Sequence, residues 1–175
     1  MSDTRVIDLS HRIRSGLITY PGLPAPTITP TLVGLDAAVF HLEDAWDASA
    51  RGIHRDSLLG RELRGTAVLL HTGWDRHFGT TEYGVGSPFL STDAVQFLID
   101  KGVTLVGIDA LNIDDTESGG ERPAHTMLLA AGVHVVEHLT NLGALPERGA
   151  RFTAAPPAIE GFGTFPVRAF ATVDA

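Results

Sequence analysis

Between residues 103 and 142 the chain alternates in a way that permits few folds: VTLVGIDALNIDDTESGGERPAHTMLLAAGVHVVEHLTNL. Residues 103–108 form an apolar run that stops at Asp109. A polar loop follows, then a short apolar helix candidate that begins near His125 and is ended by Gly132. A β-branched run then leads to Glu137. Glycine past a helix and β-branched density between turn residues mark these boundaries. Strand, loop, helix, strand is the unit that joins parallel strands, which a tight turn cannot connect. Asp109 and Glu137 then fall near strand ends and His125 near a helix N-terminus. In open α/β sheets ligand-binding groups gather there, outside the carboxyl ends of the strands.

A second such unit lies just upstream. Residues 66–70, TAVLL, read as a buried strand between Gly65 and Gly73. Ser91 or Thr92 can cap a helix through residue 101, with apolar residues at 94, 95, 98 and 99 and Gly102 past its end. Two right-handed crossovers would make three strands parallel. Further strand candidates are 5–9, 37–42, 151–155 and 167–173, and 56–63 is a candidate short helix. Residues 10–30 carry four prolines and read as an extended arm that wraps the domain or reaches a partner subunit. The expectation is an α/β fold in a single domain, 1–175, with β-α-β crossovers.

Charge and composition narrow the partners. A net charge of −8 argues against nucleic acid and anionic membranes. The absence of cysteine excludes disulfides and thiolate metal sites and suits a reducing compartment. No apolar run approaches the roughly 20 residues of a membrane span. The first residues, MSDTRVIDLS, lack the order of a signal peptide. A cytoplasmic protein is expected.

If the strands are parallel, one sheet edge collects His71 and Trp74, Asp109 and Asn112, and Glu137 and His138, with His125 joining from the helix start. Imidazole beside carboxylate suits zinc or manganese, and it also suits general acid–base work. An aspartate after an apolar strand is equally a turn or cap residue. Trp74, His77, Phe78 and Tyr83 crowd one loop, where they either line a pocket for a planar substrate or pack over the sheet edge. His134, Glu137 and His138 match the H-x-x-E-H pattern, but that pattern needs a helix and these valine-rich residues favour a strand. Asp114, Asp115 and Glu117 read as a solvated loop rather than a calcium site.

Several short motifs, taken together and in order, resemble the cyclase/kynurenine formamidase (arylformamidase) family of metal-dependent amide and lactone hydrolases. They are DLSH at 8–11, YPG at 20–22, LLHTGW at 69–74 and GID at 107–109. HTMLL at 125–129, EHLTNL at 137–142 and GTFPVRA at 163–169 complete the set. The resemblance implies a cyclase-like β/β/α fold around a mixed sheet, and assembly as a homo-oligomer. It implies hydrolysis of a small-molecule substrate, an N-formylkynurenine-like formamide of the kynurenine pathway or a related cyclic amide or lactone. It also implies a divalent metal, zinc or manganese, with His125 and Glu137 as ligands.

The family's main metal motif, H-x-G-T-H-x-D-x-P-x-H, does not occur in this chain. The arm ending near Pro30 passes into what normally follows that motif near Leu32, as if a segment were deleted at 30–32. A third ligand is then expected from His11, His41, His71, His138 or another subunit. With Glu137 on the metal, Asp109 becomes the candidate for positioning water, His125 is catalytic through the metal, and Tyr20 and Trp74 are candidate substrate-pocket walls. Two alternatives follow from the missing motif. One is a catalytically inactive homologue serving as a small-molecule-binding or assembly module; the other is an internally deleted form of an active enzyme.

Overall fold

The computed structural model describes residues 4–8, 32–155 and 166–174. The arm at 10–30, with Tyr20, lies outside the described residues except for its neighbours on either side. Seven strands form one mixed sheet: β1 (Thr4–Asp8), β2 (Leu35–His41), β4 (Ala67–His71), β6 (Leu105–Ile108), β7 (His134–Val136), β8 (Ala150–Ala155) and β9 (Arg168–Asp174). Two further strands, β3 (Gly52–Ile53) and β5 (Phe89–Leu90), pair separately. The helices are α1 (Thr92–Lys101) and α2 (Pro123–Ala130). The order across the large sheet is β1-β9-β8-β2-β4-β6-β7.

β2, β4, β6 and β7 are parallel, and β8, β9 and β1 add antiparallel. Both crossovers expected from the sequence are therefore present, as β4-α1-β6 and β6-α2-β7. Strands covered on both faces read as continuous apolar runs, and Ala67, Val68, Leu69 and Leu70 are all fully buried. On the helix side Phe40, Leu70, Val106 and Ile108 meet Leu98 and Leu128. On the other side Val39, Leu69 and Leu105 meet Leu142 and Phe152. Gly107 is required by this second layer, since a Cβ there would stand 2.7 Å from Leu139 Cδ1 and 2.8 Å from Leu69 Cδ2.

Three local expectations change in detail. The helix candidate at 56–63 is a single 3₁₀ turn, Arg55–Leu58; Gly60 at φ +83° stops it. Ser91 stands at the N-cap of α1 but makes no capping bond to the helix backbone. Its hydroxyl instead lies 2.7 Å from the Ile53 carbonyl and 2.6 Å from the Asp93 carboxylate, which ties the β3 strand to the helix start. Asp114, Asp115 and Glu117 are no solvated loop: Asp114 is 3% exposed, and the other two pair with Arg51 at 2.8 and 3.0 Å. No helix among the described residues is long and apolar enough to cross a membrane.

Candidate active site

The carboxyl ends of β2, β4, β6 and β7 share one edge, and polar side chains gather along it on both faces. On the helix face α2 begins at Pro123, a residue suited to the first turn because the missing N–H is one the helix leaves unpaired. The Asp114 carboxylate takes the next two donors, accepting from the N–H of Ala124 at 2.6 Å and of His125 at 3.2 Å. A buried anion at the positive end of a helix is favoured. The same carboxylate also holds the imidazole, with Asp114 Oδ2 2.6 Å from His125 Nδ1.

That contact decides how His125 presents itself. With Nδ1–H donated to Asp114, the Nε2 lone pair faces outward, and it meets Glu137 Oε1 at 3.5 Å. Two acceptors turned towards each other ask for a cation between them. Ligand bonds of about 2.0–2.2 Å in tetrahedral array put neighbouring donor atoms roughly 3.3 Å apart, so the donor set and spacing of this pair fit a zinc-like ion. Glu137 is 13% exposed, and its Oε1 also accepts from the Ile113 N–H at 2.8 Å. Burial raises the Glu137 carboxyl, opposed by the nearby His125 and Arg122. The Arg122 guanidinium lies against the His125 ring, 3.2 Å from Nδ1 and 3.4 Å from Nε2.

Asp109 is fully buried at the centre of the edge. Its oxygens accept from the Thr72 N–H, the Thr72 hydroxyl and, at 2.8 Å, the Gly73 N–H. It therefore holds the turn after β4, where Gly73 takes the left-handed φ of +74°. Burial pushes its carboxyl up to about 6, against those hydrogen bonds and the nearby His71. Trp74, next in the turn, is 8% exposed. Its indole N–H donates to the Tyr83 carbonyl at 3.0 Å, and it meets Trp46 edge-on at 5.5 Å. Trp74 and Tyr83 thus sit in the helix-side core and Phe78 packs against it. Tyr83 keeps a polar handle, its hydroxyl 3.0 Å from His138 Nδ1. Burial and then the charges of Asp109, Glu137 and Asp75 raise the phenol, so it stays protonated.

On the opposite face, His41 and His71 end β2 and β4 side by side. With Glu43 they form a group whose donor atoms lie within 4.8 Å of one another. It is the group of three metal-type donors found among the described residues, and it includes neither His125 nor Glu137. The structure therefore joins His125 to Glu137 and His41 to His71, but gives the first pair no third ligand within the described residues. His134 lies on strand β7, so H-x-x-E-H does not assemble on a helix. Sequence reasoning missed Asp114 and Arg122 as partners of His125, and Glu43 altogether. Asp114 caps a helix that starts nine positions later, well outside the spacing of local capping signals.

The Cyclase family model matches residues 9–115, more than half of the chain; His125 and Glu137 lie beyond that span. Isatin hydrolase from Roseibium aggregatum is 33% identical over 119 residues, 62% of this chain and 45% of that protein. Kynurenine formamidase from Bacillus cereus is 30% identical over 102 residues, 58% of this chain and 47% of that protein. The chain spans about half the length of these curated relatives. A solved structure described as a potential metal-dependent hydrolase with cyclase activity superposes with a TM-score of 0.79 at 24% identity, over 99% of this chain and 100% of that one. At that identity the likeness concerns the fold.

Proposed function

We infer the function from one premise: the chain belongs to the cyclase family. On it rests the reading that this protein is a metal-dependent hydrolase of a small amide, an N-formylkynurenine-like formamide or a related cyclic amide or lactone. The names of its relatives, isatin hydrolase and kynurenine formamidase, support that substrate range. The observation that carries the reading is the 3.5 Å approach of His125 Nε2 to Glu137 Oε1, with Asp114 on the far side of the ring. These two residues would hold zinc or manganese. Such an ion, when bound, polarises a carbonyl and acidifies water.

The chain's own groups supply orientation and proton control. Asp114 keeps the His125 tautomer fixed, as outer partners of ligating histidines do. Tyr83, held protonated, offers a hydrogen-bond donor near Glu137. Asp109 acts through the Thr72–Gly73 turn and is a positioning residue. In the hydrolysis itself the water oxygen bonds to the carbonyl carbon, the carbon–nitrogen bond breaks, and a proton from water ends on the nitrogen. The same reading makes the protein a cytoplasmic homo-oligomer.

One observation favours a second reading. A catalytic zinc usually keeps three protein ligands, and here the pair stands without H-x-G-T-H-x-D-x-P-x-H. A non-catalytic family member that binds small molecules, or an internally deleted form, would have this composition. Metal analysis of the purified protein, with and without His125→Ala, separates them. The hydrolase reading expects a zinc or manganese that His125→Ala loses, together with turnover of N-formylkynurenine that the variant lacks while its circular dichroism is unchanged. A metal lost in the variant but no turnover on either class of amide would favour the binding module. Full retention of metal by His125→Ala would overturn the assignment of this pair.

A further inference from the structure

We propose that His41, Glu43 and His71 form a separate divalent-cation site on the opposite face of the same sheet edge. The strand register sets it up. β2 and β4 are parallel, and His41 is the direct neighbour of His71 in the ladder. Side chains alternate along a strand, so both imidazoles leave the face to which Val39 and Leu69 belong. Glu137 follows Val136, which packs on that same face, and so points to the helix side. The two groups are therefore distinct, and this inference does not depend on the His125–Glu137 reading.

The donor atoms converge more closely here than at the first pair. His41 Nδ1 lies 3.0 Å from His71 Nδ1, and Glu43 Oε1 lies 3.2 Å from His71 Nδ1. A single N–H at His71 Nδ1 cannot satisfy both neighbours, and protonating both rings sets two like charges side by side. A borderline divalent cation satisfies all three atoms at once, and two imidazoles with one carboxylate are a donor set that zinc, cobalt and manganese accept. The spacings match the roughly 3.3 Å between donors around a tetrahedral ion. Three protein ligands would leave one coordination position for water or another ligand, and His41 and Glu43 are exposed.

The frame is rigid where a site needs it. The ladder fixes both histidine backbones, and the Leu42 N–H donates to the His71 carbonyl at 2.7 Å, which steers the chain towards Glu43. Gly143 lies flat against the His71 ring, where a Cβ would come within 2.9 Å of Cε1. Gly73 leaves room for Glu43, whose Cγ would lie 3.3 Å from a Cβ at that position. The rings of His41 and His71 meet at 90° with centroids 5.2 Å apart, an arrangement that turns Nδ1 of each towards a common point.

Cobalt(II) titration of the 175-residue chain, followed by visible absorption, tests the proposal. The wild type should give a tetrahedral cobalt spectrum from this site. His41→Ala and His71→Ala should each weaken that binding by about a hundredfold or more, and Glu43→Gln by about tenfold, given how strongly such affinity depends on each deprotonated ligand. His125→Ala should retain it. Glu43 is 44% exposed at its side chain, so its variant keeps the fold, and unchanged circular dichroism checks each protein. Proton NMR adds a second measurement: the imidazole signals that shift on adding zinc should include two that His41→Ala and His71→Ala identify as those of His41 and His71. Cobalt uptake whose stoichiometry and spectrum are unchanged in His41→Ala and His71→Ala, or that only His125→Ala diminishes, would overturn the proposal while leaving the His125–Glu137 reading standing. No cobalt uptake by the wild type would overturn it as well. Loss in His41→Ala and His71→Ala with retention in His125→Ala would uphold it, whatever the activity on amides.

Discussion

At the scale of single residues the candidate active site depends on carboxylates that serve other side chains. Asp114 caps α2 and orients His125 with one carboxylate. Asp114→Asn keeps the shape and loses the charge. It should weaken metal binding at His125 and Glu137 about 10–100-fold and cost about 1 kcal/mol of stability. Zinc competition titration and urea unfolding check the two parts. Asp109 makes a pH prediction. Its carboxyl is raised from 3.8 to about 6 by burial, so between those values the folded state binds more protons than the unfolded state. Stability from this group is then highest at low pH and falls as pH rises from about 4 to 6, after which it is level. Asp109→Asn should remove that slope, at the expense of weaker bonds to Thr72 and Gly73. Urea unfolding of both proteins at pH 4, 5, 6 and 7 compares the slopes, and identical profiles would count against this account.

At the scale of elements, the parallel strands position His41, His71, Asp109 and Glu137, which stand at or just past strand ends, while α2 carries His125. β4 is central in this respect: it pairs with β2 on one side and β6 on the other. Leu69→Ala removes a fully buried side chain from the layer with Val39 and Leu105. It should cost about 2–5 kcal/mol, read by denaturant unfolding, and should loosen His71 two positions on. The elements themselves were largely legible. The β4-α1-β6 and β6-α2-β7 units follow from apolar runs, glycine stops and helical spacing, because buried parallel strands and short amphipathic helices leave those marks directly in sequence. The 3₁₀ turn at Arg55–Leu58 did not follow, since a few polar residues before a glycine carry too little periodicity to set a helix length.

At the scale of the whole molecule, the sheet ends in β1 at one side and β7 at the other. We propose, from the family resemblance in the sequence, that the chain assembles as a homo-oligomer. Sedimentation velocity should therefore find a dimer or larger assembly; a monomer of 18.6 kDa at micromolar concentration would contradict the homo-oligomer. The sequence by itself determined the parallel strands, the crossovers, and the presence of polar residues at one sheet edge, because periodicity and turn chemistry are local properties. It also carried His125 and Glu137 through their resemblance to a family pattern. Only the tertiary structure decided which polar residues meet. Asp114 reaches His125 from another loop, Asp109 turns inward to Thr72 and Gly73, and His41 stands beside His71 because two strands pair in one register out of several. Register and face are set by how both layers of apolar side chains pack, a global condition that no single stretch of the chain records.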